Sequence, residues 1–262
     1  MAAEGGAFRL ASLTVTAGRD KDGRPEAGHD AGGVTLTPGQ ITALLGPTGS
    51  GKSRFLSDIE SLAAGDTPSG RHILLNGAPP TPDERFELTG RLVAQLTQNM
   101  NFVLDMGVRD FLLAHAESRG APDPEQAARQ VLAMANTLAG EPFAPTAQLT
   151  QLSGGQSRAL MIADTALLSW SPVLLIDEIE NAGIDKSRAM ELLVQSDKII
   201  VMATHDPVLA LSAGRRLVFE NGAVRRSLSR TPDEAGVLQR LSELEEIFAL
   251  ARARLRAGEP LG

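Results

Sequence analysis

The sequence has no cysteine, no tyrosine and a single tryptophan among its 262 residues. Without cysteine there is no disulfide, no thiol nucleophile and no thiolate metal site, which fits a reducing compartment. A zinc centre would have to be assembled from four scattered histidines and from carboxylates. Aromatic residues make up 3%, too few for a platform on which single-stranded nucleic acid stacks. Positive charge is also in deficit. The 25 Lys and Arg against 32 Asp and Glu leave a formal net charge of -7, making nucleic acid an unlikely partner, although a local basic patch is not excluded. No run approaches the roughly 20 apolar residues that cross a bilayer. The opening MAAEGGAFRL lacks the basic-then-apolar layout of a secretion signal. The expectation is a soluble, cytoplasmic chain whose membrane role, if any, passes through a partner.

What remains is ordinary for a folded protein. Hydrophobic residues are 42% and charged residues 22%, near the averages for globular domains, and the length suffices to bury a core unaided. Residues 8–16 alternate as a half-buried strand, an exposed loop follows, and residues 34–36 resume the strand pattern. Residues 40–45 form an apolar run that ends in glycines and leads into helical spacing over 52–64. Further strands are expected at 72–75 and 92–96, helices over 108–139 with a break at Gly120, Pro122 and Pro124, and a helix after Leu152. The runs at 173–176 and 198–203 are apolar throughout, and residues 217–219 with Asn221-Gly222 suggest a hairpin. Continuous apolar strands separated by helices predict an α/β fold whose mainly parallel sheet is covered on both faces. The last helix, over 232–257, carries an apolar stripe of Val237, Leu238, Leu241, Leu244, Ile247, Phe248 and Leu255; packing on its own domain is the first expectation, a dimer or partner contact the second.

Two segments carry recognisable chemistry. Gly46-Pro47-Thr48-Gly49-Ser50-Gly51-Lys52-Ser53, followed by Arg54, fits the phosphate-binding loop in its strand-to-helix context. Its glycines let backbone N–H groups turn inward around phosphate oxygens, and the helix beginning there adds its positive end. Lys52 would reach the β- and γ-phosphates of a nucleotide and Ser53 would place its hydroxyl on Mg²⁺. Downstream, the strand at 173–176 ends in Asp177-Glu178. Asp177 suits the Mg²⁺ shell, and Glu178 suits a base that positions or deprotonates the attacking water.

Between them lies Leu152-Ser153-Gly154-Gly155-Gln156, and this LSGGQ, followed by a helix and then VLLIDE, resembles the signature and Walker B regions of the ATP-binding-cassette (ABC) ATPases. Physically, the signature is a second anion-binding helix start. The resemblance covers roughly residues 8–225 and implies a P-loop NTPase core with an antiparallel β portion and a helical insertion at about 99–165. Residues 1–225 would form the ATPase domain and 226–262 a C-terminal helical extension. It also implies that Gln98, with Gln95 as second candidate, is the Q-loop glutamine that senses Mg²⁺ or water, and that His205 is the switch histidine at the γ-phosphate. Two copies, as a homodimer or with a paired ABC subunit, would enclose two ATP molecules. Each site would use the phosphate loop of one subunit and the Ser153–Gln156 signature of the other.

Several positions depart from the family pattern. Val15, Thr16 and Ala17 offer no aromatic residue to stack on adenine, and Asp164 stands where an arginine is common. Residues 179–185 run one residue longer than a transporter D-loop, with Asp185 as its candidate aspartate, and little room is expected between Asp185 and His205 for intervening elements. The favoured function is an ATP-hydrolysing subunit that powers a membrane transporter, peripheral at the inner face of the membrane through an integral permease. The segment 98–109, with Met100, Phe102, Val103, Leu104 and Met106, is the expected docking surface, and burial of these residues as core is the competing expectation. The DEIEN opening at Asp177 is also similar to ABC-related ATPases outside transport, so a soluble ATPase acting on a protein or nucleic-acid machine is the alternative.

Overall fold

The structure is a computed structural model and describes residues 9–26, 33–97, 102–177 and 183–261. Nine strands are described: β1 (Leu13–Val15), β2 (Val34–Leu36), β3 (Ile41–Leu45), β4 (Ile73–Leu75), β5 (Val93–Thr97), β6 (Val173–Asp177), β7 (Ile199–Ala203), β8 (Arg215–Glu220) and β9 (Ala223–Ser229). Eight α-helices accompany them: α1 (Lys52–Glu60), α2 (Pro82–Leu88), α3 (Val108–Ser118), α4 (Pro124–Leu138), α5 (Gly154–Leu167), α6 (Lys186–Gln195), α7 (Pro207–Ser212) and α8 (Pro232–Arg256). The strands form a small antiparallel sheet, ordered β2-β1-β4, and a six-stranded sheet, ordered β5-β6-β7-β3-β8-β9. Only β8 and β9 pair antiparallel in the larger sheet.

The central strands are apolar throughout because both faces are covered, and their alternation divides the core in two. Ile41, Ala43, Leu174, Ile176, Ile200 and Met202 join a core with residues of α3 to α7. Leu44, Val173, Leu175, Ile199, Val201 and Ala203 join a second core with Phe55, Leu56 and Ile59 of α1 and with the small sheet. Removing one such side chain, as in Leu175→Ala, costs about 2–5 kcal/mol.

Some expectations are corrected. The first strand is short, because Ala11 and Ser12 donate their N–H groups to the Asn76 side chain (2.7 and 3.1 Å) instead of to a neighbouring strand. The stretch between Asp185 and His205 is not too short for structure: it holds both α6 and β7. The helix α2 was not expected, although Thr81 and Glu84 form a reciprocal capping box at its start. On α8 the stripe divides: Val237, Leu244, Phe248 and Leu255 are exposed, while Leu238 and Leu241 are half-buried and the helix packs on α7. Ion pairs hold that helix as well, Glu234 to Arg216 (2.7 Å) and Glu245 to Lys186 (2.6 Å).

Candidate functional site

Parallel strands carry their C-terminal ends to one edge of the sheet, where α/β proteins bind ligands. Register puts Thr97, Asp177, Ala203 and Leu44 in a single row across β5, β6, β7 and β3. At about 4.8 Å per strand the row spans about 14 Å. Each member leads directly into a candidate. Leu44 and Leu45 lead into the loop 46–53, Ala203 into Thr204 and His205, and Asp177 ends its own strand. Gln98 and Glu178 follow Thr97 and Asp177 in sequence and lie outside the described residues, as do Ile179 to Ala182.

The loop 46–53 has the backbone its glycines permit. Gly46, Gly49 and Gly51 have φ of 144°, 76° and 111°, the region that side chains disfavour. A Cβ on Gly46 would lie 2.5 Å from the Phe219 carbonyl oxygen, and one on Gly51 would lie 2.7 Å from the Gly222 Cα. Lys52 is 7% exposed, and its Nζ donates to the carbonyls of Gly46 (2.6 Å) and Pro47 (3.2 Å). The ammonium is thus folded across the loop. Gly51 is the N-cap of α1, and Ser53 lies exposed in its first turn.

A brace of residues that the sequence did not reveal stands behind this loop. The turn between β8 and β9, Asn221-Gly222, has both residues at positive φ, as a two-residue hairpin requires. The Gly222 N–H donates to the Ser50 carbonyl at 2.7 Å. Arg71, fully buried, donates to the Gly222 carbonyl (3.0 Å) and pairs with Asp58 of α1 and with Glu26, each at 3.2 Å. A buried guanidinium needs such paired carboxylates to offset its desolvation. No spacing rule marks Arg71, because its partners lie 13, 45 and 151 residues away.

His205 is exposed, and the residues beside it are pinned. The Thr204 N–H donates to Leu44 (3.3 Å), and Asp206 caps α7 by accepting from the N–H groups of Val208 and Leu209. Asp206 also accepts from Lys186 Nζ at 2.5 Å. Burial works against the Lys186 charge, but the hydrogen bonds to Asp206 and Glu245 outweigh it and raise the ammonium above the ordinary lysine range.

The signature segment lies elsewhere. Ser153 caps α5, its hydroxyl accepting from the Gln156 N–H (3.3 Å) while the Gln156 side-chain Oε1 accepts from the Ser153 N–H (2.9 Å). Gln156 Nε2 donates to the Glu141 carbonyl at 3.1 Å. Ser153 and Gly154 are exposed, and the N–H groups of Gly154 and Gly155 donate to none of the described residues. No hydrogen bond among the described residues joins 153–156 to 46–53. Gly183 lies beside this start, since a Cβ on it would stand 3.8 Å from the Gly155 Cα. Asp185, two residues on, caps α6 and donates its N–H to Leu138 at the end of α4.

A family model described as ABC transporter matches residues 31–181, more than half of the chain. The chain belongs to the ABC transporter family. An uncharacterised ABC transporter ATP-binding protein of Methanocaldococcus jannaschii is 47% identical over 97% of this chain and 96% of its own length. A thiamine import ATP-binding protein of Brucella suis is 32% identical over 73% of the chain and 78% of its length. Among solved structures, a Clostridium perfringens protein that is part of an ABC transporter complex superposes with TM-score 0.63 at 22% identity, over 91% of this chain and 100% of its own. A dimeric ATP-binding cassette in a post-hydrolysis state with ADP and phosphate gives 0.61, also at 22%, over 84% and 99%. This ABC subunit is therefore an ATPase whose hydrolysis powers a transporter. Its α/β core, with a mainly parallel sheet and antiparallel strands, is that of the family.

Proposed function

We propose that this chain works as one of a pair, each copy closing its signature segment over ATP held by the loop 46–53 of the other, and that the pair drives an integral membrane permease. The observation that carries the pairing is the open start of α5, where the Gly154 and Gly155 N–H groups have no acceptor among the described residues. Unpaired N–H groups at a helix start are an anion site, and this one shares no hydrogen bond with its own phosphate loop. Residues 1–225 would then be the ATPase domain, with 99–165 as its helical part and 226–262 as an appended helix.

Lys52 holds two carbonyls of its own loop, which it would exchange for β- and γ-phosphate oxygens. Ser53 and Asp177 offer a hydroxyl and a carboxylate, the hard oxygen donors Mg²⁺ takes alongside phosphate and water. The described residues include no cluster of three or more His, Cys, Asp or Glu, so the fit is to an ion shared with substrate. Mg²⁺ would neutralise charge that builds on the transferred phosphoryl group. Glu178 would orient and deprotonate the attacking water, Gln98 would report its presence, and His205 would donate to the γ-phosphate.

No helix among the described residues is long and apolar enough to cross a membrane, so a permease would supply that span and hold the subunit at the cytoplasmic face. Its docking surface is the start of the helical part, where Val103 is 89% and Leu104 50% exposed. Phe102 is anchored edge-to-face on Phe111 of α3 (5.2 Å), which would transmit movement into the helices. Glu178→Gln should lower turnover on the order of a hundredfold or more while ATP still binds. Steady-state hydrolysis with labelled ATP checks this, and unchanged turnover removes Glu178 from the role. Affinity purification from membranes tests the partner: recovery of soluble proteins or nucleic acid alone would favour the non-transport alternative.

A further inference from the structure

The loop after β1 brings a second lysine to the phosphate loop. Asp20, 6% exposed, accepts the N–H groups of Asp22 and Arg24 at 2.9 Å each, so this loop is folded on itself. The Lys21 N–H donates to the Asn221 carbonyl (2.9 Å), and the Asn221 side chain donates to Asp22 (3.0 Å). A Cβ on Gly222 would meet Lys21 Cγ at 3.1 Å. The stem of Lys21 is therefore laid along the same turn that braces Ser50. Its Nζ donates to the Gly49 carbonyl inside the loop 46–53.

A surface lysine ordinarily keeps its hydrated ammonium in solvent on a flexible stem. Here the backbone is fixed at both neighbours and the charge rests on the phosphate loop. One carbonyl occupies one of three N–H donors, which leaves two for other acceptors. Meanwhile the end of β1 offers nothing to a base. Val15 is buried core, and the Thr16 hydroxyl accepts the His72 N–H at 2.8 Å.

We propose that Lys21 is a nucleotide-binding residue whose ammonium, presented at Gly49, contacts the polyphosphate of bound ATP independently of Lys52. The proposal rests on residues 46–53 being the nucleotide loop. Charge from this loop then supplies affinity that base stacking does not, and it does so equally for ATP and GTP.

The test is the dissociation constant of the full chain for ATP and GTP with Lys21→Gln, Lys21→Glu and Lys21→Arg. Glutamine keeps an N–H donor for the Gly49 carbonyl but has no charge. Its affinity should fall about tenfold for both nucleotides, as expected for a lost charged hydrogen bond. Glutamate should fall further and arginine should recover most of the loss. The gap between wild type and Lys21→Gln should shrink at 1 M salt, where screening acts beyond about 3 Å. Melting without nucleotide verifies that each variant folds. Wild-type affinity in Lys21→Gln reduces Lys21 to a brace and overturns the proposal, as does an effect confined to one base. If the wild type binds neither nucleotide, the loop assignment itself falls, and Lys21 with it.

Discussion

The loop 46–53 and the segment 153–156 are both glycine-rich helix starts, and their surroundings are opposite. The first is enclosed by its own chain: Phe219 and Gly222 touch its glycines, and Arg71 holds that turn from behind. The second closes a local capping box and one bond from Gln156 to Glu141, and its glycine N–H groups donate to none of the described residues. A site that must grip in the single subunit is braced. One that must meet a ligand carried by another copy is left open, with its own satisfied bonds fixing only its direction. Under the proposed pairing, the contrast gives a physical reason why neither half would be competent alone.

Breaking the braced side should have the largest effect. Gly51→Ala forces a Cβ to within 2.7 Å of the Gly222 Cα at φ 111°, and backbone cannot swing aside as a flexible side chain can. With strain of about 1–3 kcal/mol added to the overlap, ATP affinity should fall on the order of a hundredfold in the isolated subunit. Calorimetric titration measures it. An unchanged affinity would mean that the turn at Asn221-Gly222 does not shape the loop.

Breaking the open side should leave the subunit's own binding intact. Ser153→Arg places a bulky cation where, in the proposed pair, the opposing γ-phosphate would dock, yet Ser153 has no hydrogen bond with the loop 46–53 among the described residues. ATP should bind within about twofold of wild type, while ATP-dependent dimers vanish and turnover falls at least about tenfold, the loss of one charged contact. Light scattering with and without ATP, on a Glu178→Gln background that prevents hydrolysis, decides it. Monomers in every sample including the parent would sink the paired arrangement.

What the sequence made legible divides along the same line. Contiguous stretches were readable, because turn geometry and strand burial are local: 46–53, 152–156 and the apolar runs that became β3, β6 and β7 all carry their structure in their spacing. The row Thr97, Asp177, Ala203 and Leu44 follows once those runs are parallel neighbours. The brace was not readable, since Arg71 pairs with Glu26 and Asp58 across unrelated segments and a charged residue before a strand ordinarily reads as solvated. The stripe on α8 was informative only in part, with Leu238 and Leu241 half-buried and the rest exposed, because burial depends on what the rest of the chain presents.

The smallest expected effect concerns the segment that links the start of α5 to the residues around His205. Gly183 lies beside Gly155, and three residues on, Lys186 bonds Asp206 next to His205 and Glu245 on α8. Glu245 is 39% exposed, so its pair is screened and contributes only about 0.2–1 kcal/mol. Glu245→Gln should lower the melting temperature at pH 8 by about 1–3 °C in a chain of this length. The ammonium of Lys186 is held above its usual 10.5 by these carboxylates. Its contribution is therefore complete below that value and is lost as pH rises through the raised one. The deficit of Glu245→Gln relative to wild type should shrink above pH 10.5, as Lys186 loses its proton in both proteins. A deficit that persists undiminished at high pH would show that the helix is held by its packing on α7, and that the charge at Lys186 does not couple α8 to the residues around His205.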